Sequence, residues 1–268
     1  MNNDRIQEIL DLMEEARLDY FLISDPQSIA YCTGYYNDPH ERMFVFMISK
    51  HGNHTLFMND LFYLEHDLDV NIVWHKDGQD AIQTIVDEMH FPGRIGIDKN
   101  WASHFLLDLM KKLPDAKYIN ASPCVDLVRM KKDLQEQVLM IESSKINDAV
   151  MEEIIQFVQE GVTEKQLAKK LDELFFNHHS TCYGAIVAFG KNAADPHHEN
   201  DDTPLRKGDC VLIDMGCVYK GYCSDMTRTF FYEGILEEEI KVYEIVKKAN
   251  EAAEAMIKPG VKLSDIDK

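Results

Sequence analysis

No stretch of the 268-residue chain approaches the roughly 18 consecutive apolar residues of a membrane span. The N-terminus, from Met1 to Ala16, is acidic and amphipathic, whereas a secretory signal starts basic and then turns apolar. Basic clusters are also scarce: Lys111 and Lys112 stand isolated, and the net charge is −19. Phosphate binding needs clustered lysine and arginine, so no nucleic-acid partner is expected. The acidic surface serves solubility and names no substrate. Six cysteines (Cys32, Cys124, Cys182, Cys210, Cys217, Cys223) include no CxxC pair. Without a signal segment they read as reduced thiols, which together with the absent membrane span predicts a cytoplasmic protein. Internal repeats and low-complexity tracts are absent as well.

Apolar residues make up 45% of the chain, enough for a sizeable core. At roughly 100–200 residues per domain, the length suggests two domains, or one large one. Residues 4–17 have helical spacing, with Ile6, Ile9, Leu10, Met13 and Ala16 on one face. Strands are predicted at 20–23, 43–48, 55–58, 71–74, 94–97 and 117–119, the second and third forming a hairpin. Helices are predicted at 79–89 and 105–113. This alternation predicts an α/β domain with a mixed sheet over residues 1–125.

The pattern changes near Ser122 and Pro123. A long helix is predicted from 132 to 159, with Leu134, Val138, Ile141, Ile146, Val150 and Ile154 as its apolar stripe and Gly161 as its end. Thr163 and Gln166 form a capping box for the next helix. Strands follow at 182–189, 210–216 and 222–232, then a charged helix at 237–257. Ser264 reads as the N-cap of a last helical turn before Lys268. One turn is not stable alone, so the sequence is expected to be a truncated product or a fragment.

Two aspartates sit inside strand-like runs, Asp214 in VLIDMG and Asp225 in SDMTRT. A buried carboxylate is costly unless it is paired or bound to metal. A hairpin with its tip at Tyr219 and Lys220 would place Gly216 opposite Cys223 and Asp214 opposite Asp225, on one face. A one-residue change in the loop would send them to opposite faces. Spacing leaves two readings open: a metal site, or Asp214 paired with Arg228 or Lys220 while Asp225 begins a turn.

The segment from Gly184 to Gly190 runs into a polar loop ending in His197 and His198. Loop histidines can contact substrate or shuttle a proton. Taken alone, this segment reads better as a surface loop with incidental histidines. His178 and His179 close a helix, where the dipole explains them.

The ordered segments IVAFGKNAADPHH, GDCVLIDMG, GYCSDMTRTFF and KPGVKLSDID resemble the pita-bread-fold metallopeptidases, above all proline dipeptidases (Xaa-Pro dipeptidases) and aminopeptidase P. RMKKDLQEQ resembles the family's domain junction. The resemblance covers essentially the whole chain. It implies an α/β creatinase-type N-terminal domain (1–125), followed by a partial α+β pita-bread domain (126–268). Methionine aminopeptidases commonly lack such an N-terminal domain.

The resemblance further implies two divalent metal ions, with manganese favoured and zinc or cobalt as alternatives. Asp214 would chelate one ion, Asp225 would bridge both, His197 would contact the substrate, and Thr227 would orient Asp225. The implied substrate is an Xaa-Pro dipeptide, or a longer peptide if the chain is of the aminopeptidase P type. A homodimer is also implied. The family's remaining ligands, one histidine and two glutamates, lie C-terminal to the KPGVKLSDID segment. The expectation is therefore an incomplete metal site, doubtful metal occupancy and little or no peptidase activity from this chain alone. A non-enzymatic, creatinase-like homologue is the contrasting reading, and the presence of both aspartates argues against it.

Overall fold

The computed structural model describes residues 1–90 and 92–268, which divide into two compact units, Met1–Lys132 and Asp133–Lys268.

The first unit runs α1 (Asn3–Glu15), β1 (Tyr20–Ile23), α2 (Pro26–Thr33), β2 (Val45–Ser49), β3 (Thr55–Asn59), β4 (Asn71–His75), α3 (Ala81–Glu88), β5 (Arg94–Ile97), α4 (Ser103–Lys112), β6 (Lys117–Asn120) and α5 (Ser122–Met130). Its sheet is mixed, as the alternation predicts, in the order β4-β3-β2-β1-β5-β6. The β1–β2 and β2–β3 pairs are antiparallel, while β1–β5, β3–β4 and β5–β6 are parallel. Strands β1, β2 and β3 are buried along their whole length, which fits their continuous apolar runs. One core packs Ile6, Ile9 and Met13 of α1 against Phe21, Phe46 and Leu56. The other packs Ile82 and Ile85 of α3 against Leu22 and Phe57.

Helices α2 and α5 are absent from the sequence expectation. Both are short, so periodicity has little to work on. Local chemistry starts α2: Asp25 caps it by accepting from the Ser28 amide at 2.9 Å, with Pro26 at its first turn. Gly34 ends it at φ 79°, a left-handed conformation that suits glycine.

The second unit comprises α6 (Leu134–Ile154), α7 (Glu164–Asn177), β7 (Thr181–Phe189), β8 (Cys210–Tyr219), β9 (Tyr222–Phe231), α8 (Glu237–Met256) and α9 (Leu263–Ile266). The three strands form an antiparallel sheet in the order β7-β8-β9. One face of β8, carrying Val211, Ile213, Met215 and Cys217, is buried with Val150 and Ile154 of α6 and Leu167, Leu171 and Phe175 of α7. The capping box forms as the sequence indicates: the Gln166 amide donates to Thr163 Oγ1 at 3.2 Å, and the Thr163 amide donates to Gln166 Oε1 at 3.0 Å.

Three details differ from the sequence reading. Helix α6 stops at Ile154 and tightens into a 3-10 turn over Ile155–Phe157, while the Gly161 amide instead donates to Leu205 O at 2.9 Å. Only the C-terminal half of the expected α6 stripe is buried: Leu134 is 79% exposed, and Val138 and Ile141 are exposed too. The buried face of the N-terminal half carries Glu136 and Ser143, because it meets the polar hairpin of β8 and β9. Tyr222 OH donates to Glu136 Oε1 at 2.9 Å, and Ser143 Oγ donates to Ser224 Oγ at 2.8 Å. Finally, Ser264 lies inside α9 and Lys262 takes the cap position.

Candidate metal centre

The hairpin of β8 and β9 turns at Lys220 and Gly221, both at positive φ, with Tyr219 paired to Tyr222. This is the two-residue turn whose twist matches antiparallel strands. Gly221 adopts positive φ without the penalty a Cβ brings, which moves the tip one residue beyond its expected place. The register therefore slides by two residues. Asp214 lies opposite Thr227, and Asp225 lies opposite Gly216, so the expected direct Asp214–Asp225 pairing is not formed.

A two-residue slide preserves side-chain alternation. Asp214 and Gly216 share one face of β8, and Asp225 opposes Gly216, so both carboxylates project from the same side of the sheet. They are diagonal neighbours, for which backbone separations of about 7–8 Å are usual. This face is opposite the one buried on α6 and α7. Asp214 is half-buried and Asp225 exposed.

Among the described residues, the carboxylates are not used in ion pairs. Arg228 instead donates to Thr227 O at 2.9 Å, and the Lys220 ammonium sits over the Tyr219 ring. Among the described residues, no lysine or arginine pairs with Asp214 or Asp225. The structural alternative to a metal site thus loses its proposed cations. Thr227 Oγ1 donates to Asp214 Oδ1 at 2.6 Å, so this hydroxyl orients Asp214 and not Asp225 as expected.

Sequence reasoning missed Tyr183. A β-bulge between Cys182 and Ala185, with Gly184 at φ 141°, brings the Tyr183 ring over Gly216. A Cβ on Gly216 would lie 2.6 Å from the ring and 2.5 Å from Ser224 O. The ring lies over the glycine between the two aspartates, and Tyr183 OH reaches Asp225 Oδ2 at 3.4 Å, a long hydrogen bond. Partial burial and the Asp225 charge hold its phenol above the usual tyrosine range. The available signal was Gly216 itself, since glycine within a strand often marks a close approach.

His197 is exposed on the loop after β7, and its amide donates to Asp195 Oδ1 at 3.0 Å. Among the described residues, no hydrogen bond joins its ring to either aspartate. Its neighbour His198 turns inward and meets Glu164 Oε2 at 2.6 Å. The pair of histidines is thus divided between a free ring and an anchored one. His178 closes α7 and its ring meets Glu153 Oε1 at 2.8 Å.

Glu164, His198 and Asp201 also place one ligand atom each within 4.8 Å of one another. This cluster is already satisfied by hydrogen bonds. Glu164 Oε1 accepts from the Phe189 amide (2.8 Å) and Asn192 Nδ2 (2.9 Å), while Oε2 accepts from the Asp201 amide (3.1 Å) and His198. A carboxylate offers about four lone-pair sites, and all are taken. The Thr203 hydroxyl and amide hold Asp201 below the usual carboxylate range. The two aspartates of β8 and β9 therefore fit a divalent cation better: they are oxygen donors on one face and, among the described residues, form no ion pair with a lysine or arginine.

Residues 138–268 match metallopeptidase family M24, and residues 5–131 match the creatinase/prolidase N-terminal domain. A dipeptidase from Pyrococcus horikoshii OT3 is 32% identical with a TM-score of 0.88, covering 98% of this chain and 75% of that one. A prolidase from Thermococcus sibiricus is 28% identical with a TM-score of 0.92, covering 100% of this chain and 75% of that one. An uncharacterized peptidase of Staphylococcus saprophyticus is 28% identical over an alignment 273 residues long, covering 98% of this chain and 76% of the relative. The chain belongs to the M24 metallopeptidases, a family of divalent-metal peptidases. Within it, this chain is of the prolidase and aminopeptidase P type, a pita-bread domain behind a creatinase-type N-terminal domain.

Proposed function

We propose that the chain serves hydrolysis of Xaa-Pro dipeptides, with Asp214 and Asp225 as metal donors and His197 as the substrate-contacting side chain. The observation that carries this reading is the shared, cation-free face of the two aspartates. The likeness to a dipeptidase and a prolidase supports the substrate class.

Two divalent ions, when bound, supply a water of lowered pKa and polarise the scissile carbonyl. The chain's own residues do the rest. Asp214 and Asp225 would present carboxylate oxygens to the ions, a donor set suited to manganese. Thr227 fixes the Asp214 carboxylate by its hydrogen bond. His197, on a loop open to solvent, donates from its imidazole to the peptide. The proposed setting is cytoplasmic, with a homodimer as the assembly. Among the described residues, no helix is long and apolar enough to cross a membrane.

Two carboxylates are fewer donors than a closed two-metal centre uses, so this chain by itself holds the ions weakly. Turnover then depends on further donors being brought to the same face. Calorimetry with Mn²⁺ on wild type and Asp225→Ala, beside a Gly-Pro hydrolysis assay, tests both points. The expected result is weak binding that Asp225→Ala abolishes. Tight binding unchanged by Asp225→Ala would overturn the ligand assignment. Turnover of a tripeptide ending in proline-Xaa, in preference to Gly-Pro, would point to the aminopeptidase P type.

A further inference from the structure

The loop that carries His197 is built onto a single buried carboxylate. Glu164 is fully buried at the first turn of α7, and the His198 side chain is only 11% exposed. The four donors to Glu164 come from the end of β7 (Phe189), the following 3-10 turn (Asn192), the histidine next to His197 (His198) and the loop's far side (Asp201). They bracket His197 on both sides. Asn200 adds a second tie, accepting from the Val187 amide at 2.7 Å and donating to Ala185 O at 2.8 Å. Three N–H donors already reach this carboxylate, so in the fourth contact His198 Nε2 is the donor and the Glu164 oxygen the acceptor.

We propose that Glu164 and His198 are positioning residues for His197: the buried carboxylate–imidazole pair fixes the 189–201 loop so that one histidine is anchored and its neighbour is presented outward. The role rests on the substrate-contact assignment of His197. The anchoring itself does not, and can be measured separately. Glu164 stabilises this conformation because two of its partners are backbone amides, those of Phe189 and Asp201. Removing the carboxylate leaves buried donors unsatisfied, a cost paid only while the loop stays closed.

Hydrogen–deuterium exchange on the full chain tests the anchor, comparing wild type with Glu164→Gln, His198→Ala and His198→Gln. The expected result is exchange roughly ten- to hundred-fold faster across 189–201 in His198→Ala, with 210–231 unchanged. Glu164→Gln, which retains only one acceptor oxygen, accelerates the same segment. His198→Gln restores protection, because its amide can donate in place of the imidazole. The NMR signal of the His197 ring moves in His198→Ala and returns in His198→Gln, a change that general destabilisation does not produce. Unchanged exchange over 189–201 in His198→Ala, at a wild-type melting temperature, would overturn the anchor. If Glu164→Gln does not fold, the two His198 variants decide alone. His197→Ala separates the two readings: substrate affinity unaffected by it removes the role of His197 while leaving the measured anchor standing.

Discussion

Asp225 pairs across the β8–β9 ladder with Gly216, leaving Asp214 as its diagonal neighbour on the same face. The glycine between the two carboxylates is therefore as constrained as the carboxylates themselves. Ser224 O and the Tyr183 ring occupy the space a Cβ would need.

Gly216→Ala should accordingly do more than fill a gap. Backbone on one side and a ring on the other must move, a cost of about 1–3 kcal/mol by the usual scale of overpacking. The movement lies between the two aspartates. A lowered thermal midpoint together with reduced Mn²⁺ affinity in calorimetry is the expected pair of results. Wild-type values for both would mean that the hairpin tolerates the side chain.

Thr227→Val keeps the shape of the side chain and removes the hydroxyl that donates to Asp214. Partners that orient a ligand typically contribute about 10–100-fold in metal affinity. A loss of that size is expected in Mn²⁺ titrations, with an unaltered circular dichroism spectrum. Thr227→Ser should retain most of the affinity.

Leu171 is fully buried among α6, α7 and the inner face of β8. Leu171→Ala should destabilise this packing by about 2–5 kcal/mol. Amide exchange of peptides from residues 164–177 reads that loss locally. Lys170→Ala, one residue away on a more exposed position, serves as the control and should change exchange little.

Burial pushes the Cys32 thiol up to about 12, from an ordinary value of 9.0. The folded state thus keeps its proton where an unfolded chain releases it. This contribution to stability is complete below about pH 9 and is lost as pH rises toward 12. The stability of wild type should therefore fall more steeply than that of Cys32→Val over this window, as read by urea midpoints. At pH 8, a thiol reagent should label the exposed Cys223 quickly and Cys32 only after unfolding.

Much of the architecture is written locally in the chain. The apolar runs of β1, β2 and β3, the α1 stripe and the Thr163–Gln166 capping box each depend on neighbours in sequence, and each forms as read. The presence of two aspartates in paired strands was equally legible, because charged residues inside apolar runs are costly and so conspicuous. What lay beyond the sequence were relations set at a distance. Positive φ at Lys220 and Gly221 fixed the hairpin tip, and with it which residue faces Asp225. The polar buried face of α6 is intelligible only once the hairpin is packed on it, since helical spacing counts apolar residues and cannot see Ser143 or Glu136 as core. Glu164 looks like an ordinary acidic residue at a helix start, a place the dipole alone would favour. Folding brings β7 and the histidine loop to it, because a buried carboxylate must collect donors from wherever the chain can supply them. The sequence alone determined most of the elements and the chemical types at the site. Only the tertiary structure decided which side chains meet, because register and burial depend on contacts between segments far apart in the chain.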